Sequence, residues 1–141
     1  MKKIVLIRPR SPETFWKLSG VLEITQKKSV IPPLSIVTIA ALTPEDKYEI
    51  KIIDEETESI NFDMDCDLVG ITGFTLHSKR IKEISSEFRK RGKMTVLGGP
   101  YCSSHPDECE PFFDVLICGE AEFTWPEFLE DWEKGKHKKV Q

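Results

Sequence analysis

Residues 68–99 read LVGITGFTLHSKRIKEISSEFRKRGKMTVLGG, and this stretch decides the fold class. Leu68-Val69-Gly70-Ile71-Thr72 is a short β-rich run without charge or proline and reads as a strand. Ser78 to Arg91 then sets Ile81, Ile84 and Phe88 on one stripe among charged residues, the period of a helix with one buried face. Gly92 suits the left-handed position that follows such a helix. Met94-Thr95-Val96-Leu97 is a second apolar run, closed by Gly98-Gly99. Strand, helix and strand at this spacing predict a parallel pair joined by a crossover helix.

The same alternation continues outward. Ile4-Val5-Leu6-Ile7 is uniformly apolar and fits a central strand, whereas Tyr48 to Asp54 alternates and fits a strand nearer an edge. Val115-Leu116-Ile117 supplies a fifth strand. Pro32-Pro33 followed by Leu34 to Leu42 is apolar nearly all round, which predicts a buried helix entered at Pro33 and stopped at Thr43-Pro44. Thr124-Trp125-Pro126-Glu127 has the form of a capping box opening a last helix, with Trp125, Phe128, Leu129 and Trp132 as its core-facing stripe. Ser11 to Ser29 is a long connection, expected to open as a helix at Ser11-Pro12-Glu13 that ends near Gly20, and long enough to suggest a lid or binding loop. Glu55 to Asp65 is polar and reads as a solvated connector. The pattern is that of an α/β domain over residues 1–133, a five-stranded parallel sheet with helices on both faces. The basic tail from Lys134 reads as a linker, 134–141, or the start of a C-terminal domain.

A chain of 141 residues with 20 basic and 24 acidic side chains, net −4, is one domain with a core of its own. A mildly acidic chain without a basic stripe has no field to attract phosphates, so nucleic acid is not an expected partner. No apolar run approaches the ~20 residues of a membrane-spanning helix. The apolar part of Met1 to Arg8 is too short for a signal peptide and has no cleavage site after it. Cys66, Cys102, Cys109 and Cys118 form no CxxC pair, and nothing marks the chain as secreted, so reduced thiols and a cytoplasmic location are expected. Cys102, His105 and Cys109 fall within one loop but match no zinc spacing, and no metal site is assigned to them.

In an open parallel sheet ligands bind beyond the carboxyl ends of the strands, so the loops that follow the strands carry the chemistry. Arg8-Pro9-Arg10-Ser11-Pro12 after the first strand is neither a dinucleotide GxGxxG nor a phosphate-binding GxxxxGK loop, and lacks the Ser/Thr-rich phosphate loop of flavodoxins. The other loops are Thr72-Gly73-Phe74-Thr75, Gly98-Gly99-Pro100-Tyr101 and Gly119-Glu120-Ala121-Glu122. Adjacent glycines at a strand end let a flat ligand or a nucleotide tail lie directly on the backbone, although the same pair also serves as a tight turn. Glu120 and Glu122 suit either acid–base work or the positive end of the last helix.

Pro32-Pro33-Leu34 with Ile39-Ala40-Ala41-Leu42, Asp54, Asp67 through Thr72, Gly98-Gly99-Pro100, and Asp114 through Glu122 together resemble the N-terminal cobalamin (B12)-binding domain of B12-dependent radical SAM proteins. The pattern is similar to that of the anaerobic magnesium-protoporphyrin IX monomethyl ester cyclase group and its methyltransferase cousins, and it runs from the first strand to the last helix. The resemblance implies a flavodoxin-like (Rossmann-like) sheet, order 2-1-3-4-5, with the corrinoid across its carboxyl edge. The wider class of B12 domains has a DxHxxG loop whose histidine reaches cobalt, then SxL and GG motifs lining the slot for the nucleotide tail. Gly98-Gly99 matches the GG motif, Thr72-Gly73-Phe74 is a degenerate counterpart of SxL, and the histidine has no counterpart here.

What the resemblance implies for the site is cofactor contact from Pro9, Arg10, Ser11, Thr72, Gly73, Phe74, Thr75, Gly98, Gly99, Pro100, Tyr101, Gly119, Glu120 and Ala121, with no catalytic residue and no metal ligand in this chain. His77, beside Ser78 and Lys79, is expected to be solvated rather than a ligand, and because the loop from Arg8 to Ser19 contains no histidine, bound cobalamin is expected base-off without a histidine below cobalt. Gly99→Val is expected to abolish corrinoid binding while largely sparing the fold. No CxxxCxxC is present, so S-adenosylmethionine and a 4Fe–4S cluster are implied only for a C-terminal radical SAM domain of the same polypeptide, which would carry methyl transfer or cyclase-type chemistry. Two other readings stay open: an interaction or regulatory module that keeps the fold without the corrinoid, and a small-molecule enzyme using Glu120 and Glu122.

Overall fold

The computed structural model describes residues 1–12 and 34–141. Strands β1 (Lys2–Arg8), β2 (Tyr48–Asp54), β3 (Leu68–Thr72), β4 (Met94–Gly98) and β5 (Val115–Ile117) form one parallel sheet in the order β2-β1-β3-β4-β5. This is the expected α/β, flavodoxin-like order. The helices are α1 (Leu34–Ala41), α2 (Ser78–Lys90), the short α3 (Pro100–Ser104) and α4 (Pro106–Cys109), and α5 (Ala121–Glu133). Ile4 to Ile7 are all buried because β1 lies inside the sheet, while β2 at the edge leaves Glu49 and Lys51 exposed.

Side-chain alternation divides the core between two faces. Val5, Ile7, Val69, Ile71, Leu97 and Leu116 point to one face, where α2 packs Ile81, Ile84 and Phe88. Ile4, Leu6, Leu68, Val96, Val115 and Ile117 point to the other, which is covered by Ile36 of α1 and by Trp125, Phe128 and Leu129 of α5. Each fully buried Leu, Ile or Phe contributes about 1.5–3 kcal/mol relative to exposure. Gly92, at φ +72°, takes the left-handed position expected after α2.

Four expectations need correction. The helix expected to be buried, α1, is covered on one side only: Ile36 is buried, but Ser35 and Thr38 are exposed and Val37 is 47% exposed. Its apolar composition serves a cavity rim as well as a core. The last helix opens at Ala121 rather than at Thr124, because Gly119 at φ +83° turns the chain immediately after β5. Pro126 therefore sits inside α5, and Thr124 Oγ1 donates to the Glu120 carbonyl within the first turn instead of capping.

The connector after β2 is not merely solvated, since Ile60, Phe62 and Met64 pack against the core and Glu55 is nearly buried against Arg80. The basic tail folds back onto the sheet. The Leu116 amide donates to the Lys139 carbonyl and the Gln141 amide to the Leu116 carbonyl, each at 2.8 Å, so Val140 runs parallel beside β5. These bonds satisfy groups that an unpaired edge would leave to solvent. The helix expected to run from Ser11 to near Gly20 and the Pro32-Pro33 entry to α1 lie outside the described residues, apart from Ser11 and Pro12, which are not helical. No helix among the described residues is long and apolar enough to cross a membrane.

Candidate functional site: a glycine-floored slot at the carboxyl edge

At the carboxyl end of the sheet a cavity of about 240 Å³ opens between α1 and α5. Its floor has two layers set by strand register. Thr72, Gly98 and Ile117 stand side by side at the rim, and Leu6, Gly70 and Val96 one step deeper. The walls come from Ser35, Ile36, Thr38 and Ile39 of α1 and from Ala121, Glu122 and Trp125 of α5.

The two glycines act differently, Gly70 making room for the floor and Gly98 leaving the hollow open. A Cβ on Gly70 would lie 2.8 Å from Leu6 Cδ2 and 3.9 Å from Trp125 Cη2, in the floor itself. A Cβ on Gly98 would meet nothing closer than the Ile117 carbonyl oxygen at 3.8 Å, so the space above this residue is cavity. The slot's width is held by one buried chain of hydrogen bonds: Trp125 Nε1 donates to Thr43 Oγ1 at 2.9 Å, and Thr43 Oγ1 donates to the Ile39 carbonyl at 2.8 Å. This ties α5 to the end of α1.

Of the residues singled out in the sequence, Thr72, Gly98, Gly99, Gly119, Ala121 and Glu122 line the slot. The others stand elsewhere. Gly73 is packed against His77 and Ile81, Phe74 and Thr75 are exposed beyond the rim, and Pro100 and Glu120 are exposed at the starts of α3 and α5. Pro9 is buried, Arg10 donates its amide to Glu55 Oε1 at 3.1 Å, and Ser11 bonds His77. Tyr101 is wholly buried in the core on the opposite face of the sheet, because α3 turns away from the slot straight after Gly99.

Gly99 has φ +95°, and a Cβ there would come within 2.5 Å of Thr72 Oγ1. A larger residue at this position strains the fold itself, so Gly99→Val is not the fold-sparing substitution expected from the sequence.

His77 is not the solvated residue expected. It is 8% exposed, accepts the Phe74 amide at Nδ1 (2.9 Å) and faces Ser11 Oγ from Nε2 (2.9 Å). Burial, with the Arg8 charge added, holds its imidazole below the ordinary value. Alongside it, Arg80 grips Glu55 through both carboxylate oxygens, with Nε to Oε1 at 2.8 Å. Burial alone would raise the Glu55 carboxyl, but the Arg80 bonds and the Arg10 amide outweigh it and hold the group below the usual range. Together these contacts lock the loops after β1 and β2 to α2.

Cys102 and Cys118 touch at 3.4 Å between Sγ atoms behind the slot, and burial beside Cys118 pushes the Cys102 thiol strongly up. Cys109 is buried and His105 is exposed against Ser104. Among the described residues, no group of three or more His, Cys, Asp or Glu is placed to hold a metal ion.

The sequence reading passed over Leu6, Gly70, Ile36, Ile117 and Trp125 as site residues. Gly70 was the available signal, since a glycine inside an apolar strand marks a close approach.

No family model matches the chain. It is 33% identical over 138 residues to an uncharacterised methyltransferase of Synechocystis sp., covering 95% of this chain and 25% of that protein. It is 40% identical over 99 residues to the bacteriochlorophyllide d C-8(2)-methyltransferase of Chlorobaculum tepidum, covering 70% of this chain and 22% of that protein. The chain thus spans about a quarter of the length of these curated relatives. Among solved structures, the N-terminal domain of a hypothetical protein from Thermotoga maritima aligns with 90% of this chain and 87% of its own, at 17% identity and a TM-score of 0.45.

Proposed function

We propose that this chain is the corrinoid-holding domain of a B12-dependent methyltransferase of the radical SAM type, whose reaction is carried by a C-terminal domain outside this chain. The observation that carries the reading is the slot: β4 gives up its side chain at Gly98, where a flat ring entering from the carboxyl edge would need the room, and Gly70 beneath lets Leu6 pack into a closed apolar floor. The methyltransferase names of the relatives support the reaction class.

The residues present fit the cofactor. Apolar Leu6, Val96, Ile117 and Trp125 would hold the ring of its nucleotide tail, while Gly99, Gly119 and Ala121 at the rim leave the backbone approachable. A bound corrinoid would supply a cobalt centre able to carry a methyl group. The chain's own part is to bind, to orient and to keep water from the buried end of the slot. It offers cobalt no histidine under this reading: both ring nitrogens of His77 are engaged, His105 bonds Ser104, and His137 packs edge-on to Phe128. The cofactor would therefore be base-off without a protein nitrogen below. S-adenosylmethionine and the 4Fe–4S cluster belong to the C-terminal domain, and the setting is the cytoplasm.

Titration of the 141-residue chain with hydroxocobalamin, followed by visible absorbance, tests the reading. Saturable binding is expected, and Gly98→Val should abolish it with the circular dichroism spectrum unchanged. No binding at high micromolar corrinoid would favour the interaction-module reading instead. In the Co(II) form, electron paramagnetic resonance should lack the triplet splitting of an axial nitrogen. Triplets lost in His77→Ala would make that residue a ligand, and triplets retained would make the cofactor base-on.

A further inference from the structure

We infer that the slot selects among complete corrinoids by the polarity of the lower base, admitting a benzimidazole-type ring and discriminating against adenine. The inference rests on the corrinoid reading and deepens it. Polar side chains in the lining are graded by depth: Ser35, Thr38 and Glu122 are exposed at the mouth and Thr72 is half-buried at the rim, whereas Leu6, Val96, Ile117 and Trp125 are each 2% exposed. The strand backbone beneath is occupied in the parallel ladder that joins Leu6 to Gly70 and Gly70 to Val96.

Among the described residues at the buried end, the indole N–H of Trp125 is the side-chain polar group, and Thr43 consumes it. The same indole turns its Cη2 edge toward Gly70, so the ring presents carbon to the floor and nitrogen to the helix behind. An adenine carries an amino group and ring nitrogens that hydrogen-bond to water outside and would meet no free side-chain partner among the described residues at the buried end. A dimethylbenzimidazole has an all-carbon six-membered ring bearing methyl groups instead, and these gain by burial. A buried polar group left unpaired costs enough to weaken binding about tenfold or more.

The test titrates the full chain with hydroxocobalamin, with the corresponding corrinoid bearing adenine as lower base, and with cobinamide, which has no nucleotide tail. Hydroxocobalamin is expected to bind tightest, with the adenine form about tenfold or more weaker and cobinamide also weaker. Val96→Thr, nearly isosteric, places a hydroxyl on the buried floor and should narrow the ratio between the two complete corrinoids. Equal affinity for those two in the wild type overturns the selection and leaves the corrinoid reading standing. Cobinamide binding as tightly as hydroxocobalamin also overturns it, by taking the tail out of the slot. Failure of all three to bind overturns the corrinoid reading and the selection with it.

Discussion

Ser11 and His77, 66 positions apart, meet at 2.9 Å between Oγ and Nε2 and so join the loop after β1 to the turn after β3. The Phe74 amide donates to Nδ1, which puts the proton of the neutral ring on Nε2 and makes His77 the donor to Ser11. The bridge exists in this form only while the imidazole is neutral.

The folded chain consequently takes up fewer protons than the unfolded one as pH falls through the ordinary histidine value of 6.5. Stability should be full above that pH and decline progressively as pH falls toward the lower folded value. Thermal melts across this window are expected to show the decline in wild type and a flatter profile in His77→Gln. Identical slopes in the two proteins would remove His77 as the source.

The two neighbouring glycines at the end of β4 should respond unequally to substitution. Gly99→Ala meets Thr72 Oγ1 in a left-handed backbone and should cost about 1–3 kcal/mol. Gly98→Ala points into open cavity and should leave stability within about 1 kcal/mol of wild type. Denaturant titration of both variants measures the contrast, and equal losses would mean that the space above Gly98 is filled.

Arg80→Met leaves the Glu55 carboxylate nearly buried without its guanidinium partner. A loss of about 1.5–3 kcal/mol is expected, as for hydrogen bonds to a charged group. Because the Glu55 carboxyl is held low, the pair's contribution is present above the ordinary glutamate value of 4.5 and is lost as pH falls through the folded one. The difference between wild type and Arg80→Met should therefore shrink in acid. A constant difference down to pH 3 would assign the loss to packing instead.

Thr43→Val removes the acceptor for Trp125 Nε1 at nearly constant volume. A buried indole N–H without a partner should cost about 1–3 kcal/mol, and tryptophan fluorescence should shift as the link between α1 and α5 loosens. A variant as stable as wild type, with an unchanged spectrum, would show that another group accepts the bond.

Native alkylation should label one cysteine first. Cys118 is part-exposed, whereas Cys66, Cys102 and Cys109 are buried with their thiols pushed up by burial. Peptide mapping after brief iodoacetamide treatment is expected to find Cys118 modified and the other three modified only after unfolding. Early labelling of Cys102 would contradict the packing between α3 and β5.

The strands were readable because β1, β3, β4 and β5 are apolar runs that a sheet covered on both faces requires. Much of the site was not, because it is made by register rather than by local pattern. Gly70 looks like one more strand residue until Leu6 and Val96 stand on either side of it, and those neighbours come from strands far away in the chain. His77 carries no local sign of burial, since its partner lies 66 positions back. Tyr101 follows the paired glycines closely enough to look like a site residue, yet the five-residue α3 has too little periodicity to say which face it turns to. The capping-box pattern at Thr124 was a true local signal overruled by the turn at Gly119, which commits the chain to helix before Thr124 is reached.

Three residues, Lys139 to Gln141, cover the β5 edge of the sheet. β2 guards its side of the sheet with the charged Glu49 and Lys51, but β5 is Val-Leu-Ile and has no charge to repel a stranger. The strip laid along Leu116 occupies the docking place that another chain's strand would otherwise find. Removing it should leave the sheet prone to edge-to-edge association, visible as concentration-dependent light scattering under conditions where the domain stays folded.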